Sequence, residues 1–364
     1  MAMKLICALL VAALSLAACA PVVVPAGPAT RAPAIEAFTP APLPWVPIPA
    51  WAFAPSPPAP QPSGPRPEAS LVMADGARLP LRVWRPEGAF AAAPRFVLLA
   101  IHGLADHGGN MLLEGGPLLT AGGAVVYAYD QRGFGWNVAR GYWAGAETMV
   151  ADARAVLALV RARHPGLPVF LLGESMGGAV VLAMRETGVA GIILSSPALW
   201  GRAYMPGVLR ALLWTASHAL GPVAMPASAP NITASDNREA LLRFGRDPLT
   251  LREVRFDMVH GLVDLMDQAI AALPGCCPPL GRPVPTLVML GGNDQVVPIA
   301  IARRALRDAG VPRVAFYPEG WHLLLRDAVR AEVARDILAF MNAPDMPTAR
   351  EVAGRAWIEA TPRP

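Results

Sequence analysis

Along most of its length the chain alternates short apolar runs with longer stretches of helical spacing. "SLVMADGARLPLRVWRP" holds two alternating apolar runs around Asp75-Gly76 and predicts a β-hairpin. "RFVLLAIHG", "GAVVYAYDQRG", "PVFLLGES", "VAGIILSSP", "VPTLVMLGGND" and "VPRVAFYPEGWH" are continuous apolar runs, the pattern of parallel strands buried on both faces. Between them, residues 147–165, 176–187, 299–309 and 328–341 show helical periodicity, the first stopped by Pro165. Strands alternating with helices predict an α/β fold, a mostly parallel central sheet with helices on both faces. From Pro197 to about Leu280 the alternation stops. That stretch shows helical patterns rich in Leu, Met and Trp and no clear strand, so it reads as a helical cap inserted into the sheet.

The two ends differ from this body. Lys4 and the apolar "LICALLVAALSLAA" have the form of a signal peptide, residues 1–18, too short to read as a membrane span. The segment ends in Leu16-Ala17-Ala18-Cys19, which resembles the bacterial lipobox. That resemblance implies cleavage before Cys19 and its lipidation, with anchoring in the cell envelope. By resemblance to enterobacterial sorting rules, Ala20 after the cysteine implies the periplasmic face of the outer membrane rather than the inner membrane. Acyl chains contribute about 0.8 kcal/mol per buried methylene, so several make a stable anchor. Residues 19–68 are dominated by Pro and Ala and favour extended polyproline II, a stalk with Trp45, Trp51 and Phe53 as its unusual aromatic members. The α/β body is expected over 69–342, with the cap at about 197–280, followed by a tail, 343–364, read as an extension without further assignment.

Composition narrows the function. Of 364 residues, 54% are hydrophobic and 16% charged, ample for a large core, although much of the apolar share is Ala. The formal charge is +4, with every basic residue but Lys4 an arginine, and no basic block follows a phosphate backbone. Nucleic acid is therefore not expected as a partner, and the arginines read as a scattered solvated face. Cys276 and Cys277 are adjacent in a Pro-Gly loop with no metal spacing, and no metal or organic cofactor is implied.

Polar residues terminate several of the strand runs, where an open α/β sheet places its chemistry. Ser175 sits in Gly173-Glu174-Ser175-Met176-Gly177, between an expected strand and an expected helix, the setting of a nucleophile elbow. An acid and a histidine should follow in that order. Asp294 ends "TLVMLGGND" and His322 ends "VAFYPEGWH"; of the six histidines, only His322 lies downstream of both Asp294 and the last strand run. Asp130 precedes the serine, and Asp264 and Asp267 belong to the cap. The backbone N–H groups of Met176 and Leu104 complete the set as oxyanion donors.

From about Leu71 to Met341 the chain resembles the monoacylglycerol lipase and lysophospholipase branch of the α/β-hydrolase superfamily, which is also serine aminopeptidase S33-like. The resemblance rests on "AIHGLADHGGN", "YAYDQRGFG", "GESMGG", "NREALLRFGRDPL", "PTLVMLGGNDQVVP" and "YPEGWHLLLRD". It implies a Ser175–His322–Asp294 acyl-enzyme mechanism on lipophilic carboxylic esters. Three positions depart from the branch: Glu174 stands where His is usual, Ala105-Asp106 replaces Gly-Glu, and a Tyr that often follows the first loop is absent. The apolar cap residues Trp200, Tyr204, Met205, Leu209, Leu212, Leu213 and Trp214 fit either an acyl tunnel or lipid-facing surface, or simple burial on the domain. A serine aminopeptidase with Glu174, Asp264 or Asp267 as an amine clamp, and an acyltransferase, stay open on the same triad. The non-enzymatic alternative is an envelope lipoprotein, against which the ordered Ser–Asp–His set argues.

Overall fold

The computed structural model describes residues 20–40, 61–228, 231–275, 284–311 and 313–360. The signal segment, Cys19, Trp45, Trp51, Phe53, Cys276 and Cys277 lie outside the described residues.

In chain order the elements are β1 (Ala34–Ala37), β2 (Ala69–Val72), β3 (Arg78–Trp84), β4 (Phe96–Ile101), α1 (Gly108–Met111), α2 (Gly115–Ala121), β5 (Ala124–Tyr129), α3 (Ala146–Arg163), β6 (Val169–Glu174), α4 (Met176–Met184) and β7 (Gly191–Ser195). There follow α5 (Gly207–Ala219), β8 (Ala224–Pro226), α6 (Arg238–Arg246), β9 (Glu253–Arg255), α7 (Phe256–Ala272), β10 (Thr286–Gly291), α8 (Ile299–Asp308), β11 (Val314–Tyr317), α9 (Arg330–Asn342) and α10 (Ala349–Glu359). Nine strands form one sheet in the order β1-β2-β3-β5-β4-β6-β7-β10-β11. The pairs from β1 to β5 are antiparallel, and those from β5 through β4 to β11 are parallel.

The apolar runs become strands because both sheet faces are covered. Every residue of β4 is buried, and the strand's two-residue period divides them between two cores. Val97, Leu99 and Ile101 pack with residues of α3, α4 and α7, whereas Phe96, Leu98 and Ala100 pack with α2 and α9. Helix α4 is buried along nearly its whole length, which explains an Ala- and Val-rich sequence with no polar face.

Four features depart from the sequence reading. First, residues 20–37, read as part of a stalk, lie on the domain. β1 pairs antiparallel with β2, the Val24 N–H donates to Trp143 O at 2.8 Å, and the Ala26 N–H donates to Thr148 Oγ1 at 3.1 Å. Proline density is compatible with an edge strand, and the proline-free stretch from Ala34 to Thr39, between Pro33 and Pro40, keeps the backbone N–H groups that pairing needs. Second, the cap is not purely helical: β8 and β9 form a small antiparallel sheet. These strands are three residues each, below the length at which alternation is readable. Third, several arginines are not on a solvated face. Arg82 and Arg326 are each 1% exposed and pair with buried carboxylates. Fourth, the tail contains α10, which packs on β11. Trp357 stacks on Phe316 at 4.2 Å between centroids, and Arg313 Nε donates to Glu351 at 2.6 Å.

Helix α10 approaches the sheet so closely that a Cβ on Gly354 would collide with the Val314 carbonyl oxygen. Gly354→Val is therefore expected to unseat this helix and cost roughly 1–3 kcal/mol by overpacking. Limited proteolysis should then cut within residues 343–360 at protease levels that leave the wild type intact.

Candidate active site

Ser175 joins β6 to α4 with φ 53° and ψ −117°, a conformation that L residues avoid. The surroundings hold it there. Its N–H donates to Ser195 O at 3.0 Å, and its carbonyl accepts from Gly178 at 2.9 Å and Ala198 at 3.0 Å. A Cβ at Gly177 would collide with the Ile101 carbonyl, so only glycine lets α4 start this close to the end of β4. Strain that persists under so many constraints is a mark of a functional turn.

The loop after β4 passes directly beside the serine. A Cβ placed on Gly103 would lie 3.2 Å from Ser175 Cβ and 3.8 Å from its Oγ. The next peptide is fixed by His102. His102 Nε2 accepts from the Gln131 N–H at 3.0 Å, which leaves its Nδ1–H to donate to Gly103 O at 2.8 Å. In a trans peptide the carbonyl and the following N–H point oppositely, so holding Gly103 O on one side turns the Leu104 N–H to the other. Burial pushes the His102 imidazole down, consistent with that neutral tautomer. Met176 is fully buried as the first residue of α4, where backbone N–H groups lack intrahelical partners.

Asp294 follows β10 and His322 follows β11, both buried. His322 Nδ1 donates to Asp294 Oδ2 at 2.8 Å, while Asp294 Oδ1 accepts from the N–H groups of Val296 and Val297 at 2.9 and 3.0 Å. Burial alone would push the His322 imidazole down. Asp294, aided by Glu174, outweighs it, and the net direction is up. Among the described residues no hydrogen bond joins Ser175 Oγ to His322; in free hydrolases this contact often closes only around substrate.

The structure thus brings Asp294 and His322 into contact and Gly103, the residue before Leu104, against Ser175. It also shows pairings that sequence reasoning did not anticipate. Arg326 Nη1 donates to Asp106 at 2.6 Å and Nη2 to Glu174 at 2.5 Å. His107 Nε2 pairs with Asp247 of the cap at 2.9 Å, and Arg82 with Asp130 at 2.6 Å. The one sequence signal for them was a charged residue ending or interrupting an apolar run, as in "FLLGES" and "WHLLLRD". The cap is tied to both loops: Leu251 N–H donates to Ala105 O at 2.9 Å, and Leu323 N–H to Ala234 O at 3.0 Å.

Sheet order, elbow and acid–imidazole pair together define an α/β-hydrolase. A family model described as serine aminopeptidase, S33 (Hydrolase_4) matches residues 92–328. The chain belongs to that family. It is 28% identical to a monoacylglycerol lipase of Mycolicibacterium smegmatis over 77% of this chain and 98% of the relative. It is 26% identical to a monoglyceride lipase of Mus musculus over 75% and 88%, respectively. Among solved structures, a soluble variant of the monoglyceride lipase of Saccharomyces cerevisiae, in complex with a substrate analog, superposes with a TM-score of 0.62. The alignment has 20% identity and covers 80% of this chain and all of that one, a likeness of fold.

The geometry gives a checkable consequence. A fluorophosphonate probe should label Ser175, identified by peptide mass mapping. If His322 is the base, labelling should fall on acidification with an apparent pKa above the ordinary imidazole value of 6.5, because the imidazole is held up.

Proposed function

We propose that the protein is a carboxylic ester hydrolase that cleaves lipophilic, monoacylglycerol- or lysophospholipid-like substrates through a Ser175–His322–Asp294 triad. His322 takes the Ser175 proton as the hydroxyl oxygen attacks the ester carbonyl, and Asp294 orients and stabilises the resulting imidazolium. The N–H groups of Leu104 and Met176 receive the developing oxyanion. Collapse of that tetrahedral intermediate expels the alcohol, protonated by His322, and leaves an acyl-Ser175. Water, deprotonated by His322, then releases the carboxylic acid and restores the serine.

The observation that carries the reading is the buried His322–Asp294 hydrogen bond in a chain whose elbow serine is held at positive φ. Its kinship with monoacylglycerol lipases supports an ester, and the cap supports a lipophilic one. None of the seven apolar cap residues is buried: Leu212 and Trp214 are exposed and the other five half-buried. Helix α5 buries only Ser217, so packing on the domain does not account for its apolar residues.

The aminopeptidase alternative needs a free acidic clamp. Glu174 is taken by Arg326, and Asp264 and Asp267 are both taken by Arg202. Tethering belongs to the same proposal: Cys19 would carry lipid and hold the enzyme on the periplasmic face of the outer membrane, where such substrates reside. Among the described residues no helix is long and apolar enough to cross a membrane.

Assayed in detergent on p-nitrophenyl esters and monoacylglycerols of increasing chain length, the protein is expected to prefer medium or long chains. Ser175→Ala should abolish turnover, and Asp294→Asn should lower kcat by roughly 10³–10⁴-fold. Turnover of aminoacyl amides but of no ester would overturn the reading.

A further inference from the structure

The segment ahead of β1 is fastened to the domain residue by residue. The Val24 N–H donates to Trp143 O at 2.8 Å, the Ala26 N–H to Thr148 Oγ1 at 3.1 Å and the Gly27 N–H to Asp75 Oδ2 at 3.0 Å. The N–H groups of Thr30 and Arg31 then share Ala74 O at 2.8 and 3.2 Å, and β1 pairs with β2. The acceptors are themselves fixed. Arg132 donates to Asp75 at 2.7 Å and to Asp152 of α3 at 2.9 Å, which locks the β2–β3 turn to the helix that carries Thr148. Residues 21–27 are therefore a strap laid on the domain.

The strap changes where a lipid on Cys19 would sit. Five residues separate Cys19 from Val24 in the sequence, at most about 18 Å of extended chain. A free polyproline II stalk over residues 19–68 would instead reach roughly 150 Å. The surface at this point is apolar. Val22, Val23 and Val24 are exposed, and Trp143, which accepts from Val24, follows the exposed Tyr142. The Tyr142 N–H donates to Ala139 O, in the turn that carries Val138, a valine 92% exposed. Clustered exposed apolar side chains mark a surface that meets a partner. On its inner side Trp143 is buried against the cap, where a Cβ on Gly261 of α7 would collide with its ring.

We propose that this strap sets the lipid of Cys19 against the domain, so that Val22, Val23, Val24, Val138 and Tyr142 rest on the surface of the bilayer. This rests on the tethering proposed above. The occupant is a lipid bilayer because the chain leaves this same face toward the residue that would carry the acyl chains. Valines supply apolar area to the headgroup boundary, and a tyrosine suits that boundary, with an apolar ring and a polar tip. Through Trp143 the contact bears on α7, so the cap is held beside the membrane in a fixed orientation instead of swinging on a long stalk.

The test places the full chain, its Cys19 lipid checked by intact mass, in vesicles of phosphatidylethanolamine and phosphatidylglycerol. Hydrogen–deuterium exchange is then read in peptides covering residues 20–26 and 136–142. Two variants carry the same Gly/Ser insertion of about fifteen residues, which adds about 20 Å of tether. One insertion lies between Ala20 and Pro21, ahead of the strap; the other lies between Ala50 and Trp51, behind it. Wild type and the second variant should exchange about fivefold more slowly in these peptides than the first, with equal thermal midpoints in detergent. Equal exchange in all three, or loss of protection in both variants as a plain stalk requires, would overturn the proposal. So would protection in detergent that rises with protein concentration, the mark of a second copy on this face. A Cys19 without lipid overturns the tethering reading and the docking with it, whereas a lipidated chain without protection overturns the docking alone.

Discussion

The backbone at Ser175 is the constraint around which the rest of the site is arranged. A non-glycine residue at φ 53° costs of order 1–3 kcal/mol, and it stays there only because neighbours over-determine it. β7 accepts its N–H through Ser195, the start of α4 and Ala198 take its carbonyl, and the glycines at 103 and 177 let two other backbones close around it. Central placement of β6 in the sheet follows from the same demand. With β4 on one side and β7 on the other, the turn is fixed by strands that cannot shift without unpacking both cores.

Charge burial is the second organising cost. Arg326 with Asp106 and Glu174, Arg82 with Asp130, and His107 with Asp247 are ion or hydrogen-bonded pairs at almost no exposure. Such pairs are weak evidence for net stability, because desolvation offsets attraction, yet breaking one costs about 3–5 kcal/mol. Their value here is geometric. Each links segments far apart in sequence: Arg326 to residues 106 and 174, Arg82 to 130, His107 to cap residue 247. An apolar contact tolerates sliding; a forked charged hydrogen bond does not.

How much of this was legible in the sequence divides along the same line. The parallel strands were legible because burial on both faces writes an unbroken apolar run. The elbow was legible because glycine is obligatory where backbones nearly touch. Asp294 and His322 were legible from their order after the serine, and the structure joins them at 2.8 Å. What escaped depends on contacts between distant segments. β1 has four residues and gains its pairing only from β2, β8 and β9 define each other, and α10 is held by Phe316, Arg313 and the bare backbone beside Gly354. The arginines were misread for the same reason: a lone Arg in sequence says nothing of the carboxylate it will meet.

The cap shows how these parts become one device. It rests on the same loops that carry the candidate site, through Leu251 on Ala105, Asp247 on His107, Asn237 on the Arg326 carbonyl at 2.9 Å and Ser235 on Asp327 at 2.5 Å. Asp327 in turn accepts from the Trp321 N–H at 2.6 Å, adjacent to His322. Displacing the cap roots would therefore disturb the histidine loop and the loop after β4 together. The outer helix α5, by contrast, contributes little to the core and leaves its apolar side chains half or fully exposed. Hydrogen bonds are concentrated where the cap meets Ser175's neighbours, and exposed apolar side chains where it meets the surroundings. Under the function proposed above, that division would let a lipophilic chain be received at the outside of the cap without loosening the geometry beneath it.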